Sequence, residues 1–137
     1  MILMFQKEVA RRIAARPQTE DFGLLSVIAQ IGWSISTVAE AGPGDFFPPP
    51  RVASRVLQFL RRPDAPSKLE FGRFLSFTKT AYSHRRKFMV KNLGGSYPRE
   101  QLEQELVGLG FTAQARVEEL GPEQLLKYFR KLESRPK

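Results

Sequence analysis

The sequence predicts an α/β segment followed by a small all-α domain. Apolar residues up to residue 62 show both the two-residue period of strands and the 3.6-residue period of helices, whereas beyond it they follow only the helical period. A charged segment with two prolines, residues 61–67, separates the two patterns. We therefore predict domains at residues 1–62 and 63–137.

The first segment is expected to run strand, helix, helix, strand, loop, strand. The apolar run Met1–Phe5 predicts a short buried strand, and Asp21 is expected to cap the second helix, which ends near Gly32. The later strands are predicted from β-branched, alternating residues. The expected elements are a strand at 1–5, helices at 7–15 and 21–32, and strands at 34–39 and 52–60.

The second segment is expected to contain only helices. Their apolar residues recur at helical spacing, and Gly94-Gly95 and Pro98 mark one end and one start. Residues 115–120 are predicted to form a docking loop. The expected helices are 69–82, 85–93, 98–110 and 122–132.

Composition limits the classes of function. The net charge of the 137 residues is +8 and the sequence pI is about 10.2, which favours an anionic partner such as nucleic acid or a membrane surface. With no cysteine and a single histidine, His84, the chain is expected to hold no metal and no His-based catalytic triad. The apolar start is too short for a signal peptide or membrane span, so we expect a cytoplasmic protein.

Phe46-Phe47-Pro48-Pro49-Pro50 is predicted to be a stiff, extended loop. Proline lacks the backbone donor of a helix and pushes the preceding residue into extended conformations. One interpretation is a linker whose aromatic rings are buried in a neighbouring core. The other is a recognition loop that presents the rings.

Two basic clusters are candidates for phosphate contacts. One comprises Lys79 and the run His84-Arg85-Arg86-Lys87, with Lys91 four residues further on and Tyr82 nearby for base stacking. It is expected at a helix start. The other cluster is Lys7, Arg11, Arg12 and Arg16. The alternative for both is a solvated basic surface without a specific partner.

Four segments in order resemble the rRNA adenine N6-dimethyltransferases, and most closely the bacterial small-subunit rRNA dimethyladenosine transferases. Met4–Ala10 resembles the family's strand-five motif. Phe22–Val27 and then Phe46–Ser54 resemble its F-x-P-P-P-K/R-V-x-S region, and Ala81–Lys87 resembles the F-S-x-R-R-K signature of its helical domain.

The resemblance implies a fold and roles for particular residues. Residues 1–62 would be the last strands, in the order 5-7-6, of a Rossmann-like methyltransferase sheet, and residues 63–137 an rRNA-binding helical domain. Phe46 would stack on the flipped target adenine. The residues expected to contact RNA are Lys7, Arg11, Arg12, Arg51, Lys79, His84, Arg85, Arg86, Lys87 and Lys91.

The family's cofactor motifs do not occur in this sequence. S-adenosylmethionine is held in the family by a Gly-rich loop and an acidic residue, and the target adenine by an Asn-Leu/Ile-Pro-Tyr/Phe motif. Here Asn92 is followed by Leu93-Gly94-Gly95. We therefore expect the C-terminal half of such an enzyme, starting at strand five, with no catalytic or cofactor-binding residue and no binding of S-adenosylmethionine by this chain alone.

Strand five would then be an open edge. We expect the chain to dimerise, to swap elements or to bind a separate N-terminal half. The intact enzyme would dimethylate adjacent adenines near the 3′ end of small-subunit rRNA. The alternatives are a non-catalytic RNA-binding or ribosome-assembly module and, further off, a basic protein that binds DNA or a membrane surface.

Overall fold

The computed structural model describes residues 1–42 and 53–134. The chain divides into two compact units, Met1–Ala65 and Pro66–Lys137, which we call the sheet unit and the helical unit. The division falls three residues after the boundary expected from the sequence. The roles assigned to the two parts stay predictions.

The described residues of the sheet unit form three strands and two helices. Its elements are β1 (Ile2–Gln6), α1 (Lys7–Ile13), α2 (Leu24–Gly32), β2 (Trp33–Ala41) and β3 (Ser54–Arg61). The strand order is β1-β3-β2, with β3 antiparallel to both neighbours. This is the order that the resemblance implied for strands five, seven and six.

One face of the sheet is covered by helices. Ala10 and Ile13 of α1 pack with Leu57 and Phe59 of β3 in a buried cluster, and Trp33 lies edge-on to Phe59. The second helix begins at Leu24, not at residue 21, and Asp21 is not its cap. Instead the Ser26 hydroxyl accepts a hydrogen bond from the Gly23 N–H (3.1 Å) and donates one to the Arg12 carbonyl, which ties α2 to α1.

The other face of the sheet is open among the described residues. Because side chains alternate along a strand, Ile2 and Met4 of β1 and Leu60 of β3 point away from the covered face, and their exposed fractions are 61%, 53% and 55%. The predicted strand at residues 1–5 is confirmed as β1, but the prediction that it is buried is wrong for this chain. As expected for an open edge, β1 pairs only with β3 in the described part of the chain.

Up to residue 134, where its description ends, the helical unit has four helices and one 3₁₀ turn. These are α3 (Lys68–Ala81), α4 (Met89–Leu93), α5 (Arg99–Gly108), the 3₁₀ turn (Val117–Glu119) and α6 (Pro122–Ser134). Within the described ranges, no helix is both long and apolar enough to cross a bilayer.

Aromatic rings form the centre of the helical unit. Phe74 and Phe77 of α3 contact Phe129 of α6, with ring centroids 5.7 and 5.1 Å from it. The buried Tyr128 hydroxyl donates to the Leu102 carbonyl at 2.9 Å. In the segment predicted to dock, Ala115 is buried and its carbonyl accepts from the Met89 N–H, which joins that segment to the start of α4.

Candidate nucleic-acid interface

The basic run of the helical unit lies in a turn. We call residues 83–87 the basic turn. Helix α3 ends at Ala81, and the Ser83 N–H and hydroxyl both donate to the Thr80 carbonyl, at 3.1 and 2.6 Å. Because α4 begins only at Met89, the prediction of a helix from residue 85, with the basic residues at its start, is wrong.

Asn92 holds the basic turn in place. From α4, its side-chain amide donates to the carbonyls of Ala81 and His84, both at 3.0 Å. The Lys87 N–H also donates to the His84 carbonyl. The sequence-based prediction missed this role. The one signal in the sequence was the poor helix propensity of asparagine, which does not indicate which carbonyls its side chain would bond.

The charged side chains of the basic turn face solvent. His84, Arg85, Arg86 and Lys87 are all exposed. Arg85 forms an ion pair with Glu118 at 3.6 Å, whereas no carboxylate among residues 1–42 and 53–134 pairs with Arg86 or Lys87. Two more expected contacts, Lys79 at the end of α3 and Lys91 in α4, are exposed on the helices that flank the turn. The turn is therefore a concentrated cationic surface suited to phosphate.

Tyr82 does not belong to this surface. Its side chain is only 8% exposed, and burial raises its pKa to about 12. Its hydroxyl has no hydrogen-bond partner within the part of the chain that the structure describes. The suggestion that Tyr82 stacks on a base is therefore wrong, because the ring is part of the core.

The expected contacts of the sheet unit form a weaker cluster. Arg12 is paired with Glu8 at 3.4 Å in α1, and Arg11 is exposed in the last turn of that helix. Hydrogen bonds from Arg55 hold the pKa of Glu40 below its usual range, and the charge of Lys7 lowers it further. This carboxylate offsets part of the positive charge near Lys7.

Phe46 and Arg51 lie outside the described residues. The adenine-stacking role of Phe46 and the RNA contact of Arg51 therefore stay predictions.

Within residues 1–42 and 53–134, no glycine-rich loop connects a strand to a following helix. Strand β1 passes directly from Gln6 into α1 at Lys7, so no glycine-rich loop lies between strand and helix there. Gly23 and Gly32 belong to the ends of α2 and do not connect a strand to a following helix. Likewise, no group of three or more His, Asp or Glu side chains in the described ranges could hold a metal ion.

The sequence is similar to known proteins over nearly its whole length. The family model of ribosomal RNA adenine dimethylase matches residues 1–134. The ribosomal RNA small subunit methyltransferase A of Bdellovibrio bacteriovorus is 47% identical over 135 residues, covering 95% of this chain and 48% of that protein. The protein of the same name from Rubrobacter xylanophilus is 38% identical, covering 96% and 49%.

Two solved structures share the fold. A dimethyladenosine transferase from Plasmodium falciparum aligns with a TM-score of 0.81 over 96% of this chain and 56% of its own, at 18% identity. The 23S rRNA methyltransferase ErmE aligns with a TM-score of 0.68 over 97% and 54%, at 25% identity. The chain spans about half the length of the curated relatives it matches, and it belongs to the ribosomal RNA adenine dimethylase family.

Proposed function

We propose that this chain is the RNA-binding, C-terminal half of an rRNA adenine N6-dimethyltransferase. Its substrate would be small-subunit rRNA, at adjacent adenines near the 3′ end, and its compartment the cytoplasm. The observation that carries the proposal is the basic turn, which Asn92 holds in a fixed shape. Family membership supports it, as does the strand order β1-β3-β2 followed by a helical unit.

In this proposal the chain positions the RNA. S-adenosylmethionine, held by the complementary half of the enzyme, would supply the methyl group for the adenine N6. Arg86 and Lys87 would bind the rRNA backbone, and Phe46 would stack on the extruded adenine. Holding a base in a fixed position lowers the barrier by removing the entropy cost of the encounter.

The proposed partner of the sheet unit is the complementary half or a second copy of this chain. The exposed apolar side chains of Ile2, Met4 and Leu60 and the unpaired edge of β1 support this proposal. An antiparallel sheet that leaves one face in water normally carries polar side chains on that face, so exposed apolar side chains there favour a missing cover. Light scattering at high concentration tests this proposal. A chain that stays monomeric alone and does not bind an added N-terminal half would contradict it.

The main test removes two charges from the basic turn. For Arg86→Ala plus Lys87→Ala we expect weaker binding to a small-subunit rRNA fragment. The slope of log affinity against log salt should also become shallower by about 1 to 2, since each lost phosphate contact removes roughly one unit. Fluorescence anisotropy over a salt series measures both quantities.

The matched control is Lys127→Ala plus Lys131→Ala, which removes the same charge from exposed positions of α6. If both double variants lose affinity equally, net charge alone drives binding and the turn has no special role. Asn92→Ala keeps every charge but frees the turn, so it should lower affinity several-fold without changing the number of cations.

The second candidate function is a non-catalytic RNA-binding or assembly module. The direct passage from β1 into α1, without a glycine-rich loop between them, favours it over a self-sufficient enzyme. Calorimetry with S-adenosylmethionine, with and without an N-terminal half, separates the two. A cofactor site completed by the added half supports the enzyme, whereas no binding in either case supports the module.

A further inference from the structure

A cavity of about 440 Å³ opens beside Phe88, the residue that follows the basic turn. Its walls come from α4, α5 and the segment after α5. The side chains that matter for its chemistry are Phe88, Lys91, Arg99, Glu103, Ala113 and Gln114. The volume lies in the range of small-molecule sites, which is about 300–1,000 Å³.

Phe88 differs from its neighbours. Its side chain is 38% exposed, whereas Met89, Val90 and Leu93, which follow it in α4, are buried. Phe88 precedes the helix in an extended conformation, so its ring is not directed into the core by the helical period. Phe88 falls within the helix predicted over residues 85–93, and the shorter observed helix leaves its ring at the cavity instead.

The polar groups at the cavity are suited to a nucleotide. Lys91 is exposed, and Arg99 donates to Glu103 at 2.8 Å. The carboxylate of Glu103 and the amide of Gln114 are groups that accept hydrogen bonds from the amino group of a base. Lys87 and Arg86 lie one and two residues before Phe88, so their Cα atoms are at most about 8 Å from that of Phe88.

We propose that this cavity binds one unpaired, amino-bearing base of the same RNA, stacked on Phe88. The cations of the basic turn and Lys91 hold the flanking phosphates. The inference rests on the proposed RNA binding and adds a site for a base to it. An aromatic ring among cations is the usual arrangement for binding single-stranded nucleic acid, because every base has a face that can stack. The carboxylates of an acidic peptide would match the positive charge, but they would not pack against the ring of Phe88 or the apolar wall at Ala113.

The test uses the full chain and two RNA hairpins with the same stem. One hairpin is fully paired, and the other carries a single unpaired 2-aminopurine, whose fluorescence falls when it stacks. We expect the wild type to quench this fluorescence and to bind the hairpin with the unpaired base more tightly. Phe88→Ala should abolish the quenching and lower affinity for that hairpin about tenfold. Its affinity for the paired hairpin and its salt slope should not change.

Two further variants keep the result interpretable. Phe88→Trp retains a stacking ring and should preserve the quenching, and Ala113→Leu fills the cavity and should reduce it. Val107→Ala is the matched control, because it removes another exposed apolar side chain away from the cavity lining. Thermal melting by circular dichroism confirms that each variant is folded.

Three results would overturn the inference. If Phe88→Ala quenches and binds as the wild type does, the base does not stack there, although RNA binding by the basic turn stands. Equal loss of affinity for both hairpins would mean that Phe88 acts only through the shape of the turn. If the wild type binds neither hairpin, the proposed function fails together with the inference.

Discussion

The two units are similar in length but differ in how completely they bury their apolar residues. Of the 24 buried hydrophobic residues in the described part of the chain, seven lie in the sheet unit and 17 in the helical unit. The sheet unit has helices on one face of its sheet and exposed apolar side chains on the other. The helical unit buries an aromatic cluster between α3 and α6, and its segment around the buried Ala115 is bonded to the start of α4.

The difference shows that an apolar sequence is not enough to make a core. Ile2, Met4 and Leu60 are as apolar as the buried residues of the helical unit, yet nothing among the described residues covers them. A three-stranded sheet with one open face buries little area relative to the conformational entropy of its chain. The helical unit carries the basic turn on a core that is buried among its own described residues.

The largest effect is expected when the two units are expressed as separate fragments and their folding is compared. Residues 66–137 alone should keep a helical circular dichroism spectrum and unfold cooperatively. Residues 1–65 alone should be unfolded or aggregate through the open edge of β1. The comparison breaks down if the fragment of residues 1–65 is a folded monomer with a cooperative melting transition.

A smaller effect is expected when one apolar side chain is changed in each unit, a buried one in the helical unit and an exposed one in the sheet unit. Phe74→Ala should destabilise the helical unit by about 3–5 kcal/mol, because it leaves a cavity in a fully buried aromatic cluster. Leu60→Ser should change the free energy of unfolding by less than about 0.5 kcal/mol, because the side chain is already largely in water. Urea denaturation measures both. A cost above about 2 kcal/mol for Leu60→Ser would show that the open face is covered in solution.

The smallest effect is expected when one of two buried tyrosine hydroxyls of the helical unit is removed, one with a hydrogen-bond partner and one without a partner among the described residues. Tyr128→Phe should cost about 1 kcal/mol, since it removes the buried hydrogen bond to Leu102. Tyr82→Phe should be neutral or stabilising, because the Tyr82 hydroxyl is buried without a partner among the described residues. Thermal unfolding of the pair gives the comparison, and an equal loss for both would mean that the Tyr82 hydroxyl does find a partner in solution.

The positions of individual helices could be predicted from the sequence where apolar residues recur at regular spacing. Helices α3, α5 and α6 follow the helical spacing of their apolar residues, and their observed ends lie within about two residues of the predicted ones. The strand order came from the family resemblance, because spacing alone does not specify which strands pair. The start of α4 was misplaced, because Phe88 and Met89 continue an apolar pattern that the turn interrupts.

The sequence by itself determined the charge, the absence of cysteine, the helical periodicity and the family motifs, since each depends on residue type and spacing alone. Only the tertiary structure decided that Tyr82 is buried while Phe88 is exposed, and that Asn92 holds the basic turn. The bonds of Asn92 join residues eight and eleven positions apart, and burial depends on which elements pack together. Neither relation is contained in a local pattern, so neither could be predicted before the helices were placed.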